Sequence, residues 1–117
     1  MSVEMSREAF EELVADALDE IPEEFWARLD NVVFIVEDEP GEDMEPDLLG
    51  LYDGVALTER GDYAGVLPDR ILIFKGPLER WCSSREELVD EVGVTVLHEV
   101  AHHFGIDDAR LHDLGWD

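Results

Sequence analysis

His98 and His102 stand four residues apart with Glu99 beside the first. On a helix, residues at that spacing project from one face, so two imidazole nitrogens can meet one divalent metal ion. Glu99 lies about 100° round the helix from His98, at the rim of the same face. A carboxylate there can reach a water on the metal without being a ligand, the arrangement of a zinc hydrolase with a glutamate general base. Gly105 allows the helix to end in a left-handed residue and the chain to turn back. That reversal can bring Asp108 up as third protein ligand and leave one position open for water. Asp107 is the better placed of the pair to cap a following helix, although the two could exchange roles, and His112 could also approach. The simpler reading of His112 is an exposed helical residue, and that of His103, which points away from the His98/His102 stripe, is packing or support for the ligands. HExxH by itself arises by chance in surface helices, but the glycine and aspartate at their offsets weaken that reading.

The full run, His98-Glu99-Val100-Ala101-His102-His103-Phe104-Gly105-Ile106-Asp107-Asp108, spells HExxHxxGxxD. It resembles the metzincin signature with Asp where a third His would stand. Over Val94 to Trp116, VTVLHEVAHHFGIDDARLHDLGW, and more loosely over Leu48 to Trp81, the chain is similar to a family of very small bacterial zincin-like metallopeptidase domains. The resemblance implies Zn²⁺ held by His98, His102 and Asp108, with Glu99 as catalytic base in peptide hydrolysis. True metzincins carry a Met-containing turn after the motif. Nine residues follow Asp108 here and none is Met, so the floor beneath the metal must be built otherwise.

The elements that would position these residues can be read from spacing. Ser84 caps a long helix from about Arg85 to Phe104, with Glu87 completing a capping box. Val92 to Leu97 would suit a buried strand on propensity alone, but the upstream cap and the HExxH that follows require a helix. On its wheel Glu91, Val94, Thr95, His98 and His102 share one stripe, with Val89, Val92, Val96 and Val100 roughly opposite, against a sheet. Ser6 caps an amphipathic helix over Ser6 to Leu18, and Pro22 opens a second, short helix to Leu29 whose apolar side is Phe25, Trp26 and Leu29. Asn31 to Val36 reads as a buried strand, and Arg70 to Phe74 as another. Leu48 to Leu57 is an interrupted strand in which Gly50 and Gly54 mark a bulge or a close approach, and it is the candidate edge for an extended peptide. Glu37 to Asp47 is an acidic loop without the ligand spacing of a calcium loop, and Thr58 to Asp69 is a polar loop containing Pro68. Lys75-Gly76-Pro77 turns the chain into a short helix, Leu78 to Cys82. A last helix opens at Asp107-Asp108, with Leu111, Leu114 and Trp116 closing onto the core.

A chain of 117 residues with 45% hydrophobic residues supports one globular domain, residues 1–117. The expected fold is α+β, zincin-like, with a small sheet of about three strands packed against helices and the motif on a long C-terminal helix. The net charge of −23 argues against nucleic acid and anionic membrane partners. It reads first as a solvated acidic surface, and more sharply as an attraction for cations or basic partners. Cys82 is the only cysteine, which excludes an internal disulfide and suits a reducing cytoplasm. No signal-peptide pattern or membrane-length apolar run is present, so a cytoplasmic monomer acting on an unknown peptide or protein is expected. The alternative is a non-catalytic zinc-binding or protein-interaction module on the same fold.

Overall fold

The computed structural model describes residues 3–27, 29, 31–54, 68–106 and 108–114, with the backbone alone at 108, 111 and 114. Among these, three strands form one sheet: β1 (Val32–Glu37), β2 (Gly50–Asp53) and β3 (Asp69–Phe74). Their order is β1-β3-β2. β3 pairs in parallel with β1, Val32 opposite Asp69 and Glu37 opposite Phe74, and antiparallel with β2, Gly50 opposite Ile73 and Asp53 opposite Arg70. The central place explains the composition of β3, since a strand covered on both faces reads as a continuous apolar run, and Ile71, Leu72, Ile73 and Phe74 are all buried. β1 is apolar yet only half-buried, and Val33 is exposed. The expectation of a buried strand fails there because β1 lies at an edge, where one side of the sheet meets solvent.

Among the described residues there are five helices: α1 (Arg7–Asp19), α2 (Glu23–Trp26), α3 (Lys75–Trp81), α4 (Arg85–His103), which packs on β2 and β3, and α5 (Asp108–Leu114). Ser6 caps α1 as expected, its Oγ accepting from the Ala9 amide at 3.1 Å. α1 buries Phe10, Leu13 and Val14 against α4, whose Leu88, Val92, Val96 and Val100 belong to the same core. α2 is shorter than its apolar pattern suggests and ends at Trp26, whose indole Nε1 donates to the Leu18 carbonyl at 2.8 Å. Trp26 is therefore a partly exposed brace rather than core. α3 begins at Lys75, not after Pro77, because a first helical turn has no use for the amide proton that proline lacks. Within α3, Glu79 pairs with Lys75 at 3.0 Å and accepts the Met5 amide at 2.9 Å, which fixes the N-terminal segment.

α4 is continuous through the β-branched run 92–96. Ser84 Oγ accepts the Glu87 amide at 3.1 Å, and burial on several sides outweighs the poor helix propensity of valine and glycine. The buried stripe runs through Leu88, Val92, Thr95, Val96, Glu99, Val100 and His103. Val89, expected in it, is 43% exposed, since it falls at the rim of the stripe near the first turn. α4 ends in a Schellman motif: Gly105 has φ 80°, its amide reaches the His102 carbonyl at 2.9 Å, and the Ile106 amide reaches the Ala101 carbonyl at 3.0 Å. The left-handed glycine that the motif required is thus in place.

Candidate metal centre

The last two turns of α4 carry His98, Glu99 and His102. One ligand atom from each of the three lies within 4.8 Å of the others, a group able to hold a metal ion. The two imidazoles meet edge to face with centroids 4.6 Å apart, as the i, i+4 spacing dictates. His102 Nδ1 lies 3.1 Å from Glu99 Oε1. A hydrogen on Nδ1 donated to that carboxylate leaves the lone pair on Nε2, the tautomer a metal ligand needs. Imidazole nitrogens with a carboxylate form a donor set suited to zinc.

Glu99 stands beside the two histidines, as its place at the rim of their face requires, but it is not open to solvent. It is 7% exposed, on the side of α4 that packs against β2. The reason is Gly50: a Cβ there would stand 3.2 Å from Glu99 Cγ and 2.7 Å from Thr95 Cγ2. The glycine expected to mark a close approach lets β2 pass directly over the motif. His102, by contrast, keeps 29% of its side chain exposed, so the group is open on the imidazole side and walled on the carboxylate side.

His103 is fully buried. Its Nδ1 lies 3.1 Å from Asp69 Oδ2, and the Tyr52 hydroxyl donates to the same oxygen at 2.5 Å while standing 3.4 Å from the ring nitrogen. One residue each from β2, β3 and α4 thus meets in a dry polar contact next to His102. The packing reading of His103 is right in kind, but Tyr52 and Asp69 were not anticipated. The available signal was a single aspartate heading the apolar run Ile71–Phe74, a buried polar position that demands a partner.

Asp108 is the first residue of α5, directly after the Gly105 turn, and is placed by its backbone. Asp107 and Trp116 lie outside the described residues, as does the 55–57 end of the expected edge strand. His112 is exposed on α5. Cys82 is buried, and its thiol is pushed up to about 11 by that burial and by the nearby charges of Glu87 and Glu91, so it serves packing, not chemistry.

A family profile described as zincin-like metallopeptidase matches residues 29–116. The chain belongs to the zincin-like metallopeptidase family. The match spans the whole sheet and the helix with the motif, so the zincin-like α+β fold expected from HExxHxxGxxD is the one found. Among solved structures, a conserved hypothetical protein from Thermo thermophilus is similar to this zincin-like chain at 27% identity, with TM-score 0.61 over 96% of this chain and 100% of that one. No curated protein matches the sequence. Among the described residues, no helix is long and apolar enough to cross a membrane.

Proposed function

We propose that this zincin-like domain is a zinc-dependent peptidase in which His98, His102 and Asp108 hold the metal and Glu99 is the general base. The observation that carries the reading is the His98/Glu99/His102 group at the end of α4, in a chain whose family is described as metallopeptidase. When bound, Zn²⁺ would supply Lewis acidity, lowering the pKa of water towards ~7 and polarising a carbonyl. Glu99 would take a proton from the attacking water and pass it to the leaving amine, so that the C–N bond breaks without a free amide anion. Gly50 packs against the Glu99 stem, and with Glu99 only 7% exposed that side of it is closed to bulk solvent. His102 Nδ1 on Oε1 holds the same carboxylate towards the metal face. β2 ends the sheet among the described residues, and an extended substrate can add to its outer edge beside the motif. The acidic surface favours a free, soluble domain with a peptide or protein substrate and no nucleic acid.

A second reading has its own support. Glu99 is itself within ligand range of both histidines, so it could complete a closed, non-catalytic zinc site. Glu99→Gln separates the two. For the peptidase, the purified variant keeps about one zinc per chain, the load set by a single three-ligand site, and loses peptide turnover by roughly 10²–10⁴-fold. For the closed site, the same variant loses zinc. Metal content by mass spectrometry, beside His98→Ala/His102→Ala as the empty control, is the deciding measurement. A wild type that takes up no zinc sinks both readings.

A further inference from the structure

Beside the metal centre a cavity of about 250 Å³ opens between the start of β2 and α4. Its size is below the roughly 300–1,000 Å³ of pockets that enclose whole small molecules, so it suits one side chain. Leu48, Leu49 and Val94 line it together with Gly50 and Thr95, and His98 and Glu99 belong to the same lining. Glu91 lines the same cavity two turns before His98, roughly 10 Å along the helix axis. Apart from His98 and Glu99 it is the only ionisable group in the lining among the described residues. The cavity therefore has apolar walls between the metal residues and a half-buried carboxylate. That is the shape of a site for a long side chain with an aliphatic stem and a cationic head.

The surroundings carry the same sign. A neighbouring cavity of about 260 Å³ shares Leu49 and adds Asp47, Arg80 and the 62% exposed Trp81. Arg80 contributes little free positive charge there, because both its terminal nitrogens bond Glu39 at 2.9 Å and hold that carboxyl below its usual range. The whole chain adds a net −23. An anionic cleft of this kind concentrates cations and discriminates against acidic side chains.

We infer that this cavity is the specificity subsite of the domain and takes a lysine or arginine side chain next to the scissile bond, with Glu91 selecting it. The inference rests on the zinc peptidase reading and adds to it the class of substrate: basic peptides.

Binding of small hydroxamates to the zinc-loaded protein tests it without requiring turnover. The hydroxamate anchors at the metal and an amino-acid side chain enters the adjacent cavity. Three probes suffice: lysine, norleucine and glutamate hydroxamates, with affinities from calorimetry. The lysine probe should bind about tenfold tighter than norleucine, as expected of one charge-assisted contact, and the glutamate probe weakest. In Glu91→Gln the lysine advantage should vanish while norleucine binds as before, and in Glu91→Lys the glutamate probe should overtake lysine. Equal binding of lysine and norleucine to wild type, or a lysine preference that survives Glu91→Gln, overturns the subsite and leaves the metal site standing. A wild type that holds no zinc, or a zinc-loaded one that binds none of the probes, removes the peptidase reading and the subsite with it.

Discussion

Gly50 is the residue on which the site geometry turns. A Cβ on it would crowd Thr95 and Glu99 of α4, and would also stand 3.2 Å from the Leu72 carbonyl. Thr95 and Glu99 are both buried and have little room to retreat. Gly50→Ala should therefore destabilise the fold by about 1–3 kcal/mol, the cost of overpacking a filled interior. Because the methyl meets Glu99, the same variant should lower any peptidase turnover more than zinc content. Urea unfolding beside metal analysis checks this, and an alanine variant with the wild-type midpoint would show that the strand does not approach so closely. At this scale the sequence announces spacing but not burial. The i, i+4 histidines and the turn-forming Gly105 could be read directly, because both depend only on neighbours in the chain. The depth of Glu99 could not, since β2 covers it from a point 49 positions earlier. Nor could the contact of His103 with Asp69 and Tyr52, residues 34 and 51 positions away.

At the scale of the element, α4 and the turn that ends it carry two glycines whose roles are opposite. Gly93 lies in the helix interior, and a Cβ built there meets nothing within 4 Å. It lowers helix propensity without serving a contact, so Gly93→Ala should stabilise the domain by about 0.5–1 kcal/mol. Gly105 holds φ 80° at the end of the same helix. An L-residue there costs about 1–2 kcal/mol, so Gly105→Ala should destabilise, and it should also weaken zinc retention if Asp108 reaches the metal through that turn. Thermal melts of the pair, one rising and one falling, give the check; equal shifts would contradict the capping geometry. The elements were largely legible in order and kind because Ser6, Ser84, Pro22 and the apolar runs are local signals. Their depth was less so. β1 and β3 look equally apolar in sequence, and which one is central follows from pairing across the chain. The valine run 92–96 would have been misassigned on propensity alone, and it is the Ser84 cap and the motif that settle it as helix.

For the whole molecule the dominant quantity is charge. Thirty-one acidic side chains face eight Lys and Arg, giving −23. Several of the cations are committed to ion pairs: Arg7 with Asp38, Arg70 with Asp53, Lys75 with Glu79 and Arg80 with Glu39. Most of these pairs are exposed, and exposed pairs contribute only about 0–1 kcal/mol each. The unpaired surplus repels itself in the folded state more than in the expanded unfolded chain. Salt acts on both effects in opposite directions, weakening the attractive pairs and relieving the repulsion. With the surplus this large, relief should win. Screening shortens from about 30 Å at 0.01 M to about 3 Å at 1 M ionic strength, so melting temperature should climb by several degrees between those limits at fixed zinc. Circular dichroism melts in sodium chloride read this out. A fall with salt would mean that the ion pairs, not the surplus, govern stability. The same field bears on the groove beside Glu91, because a cationic peptide drawn in by a chain of −23 should associate more slowly as salt is raised, whereas a neutral one should not. Salt should therefore stabilise the domain and, in the same range, blunt its capture of basic substrates.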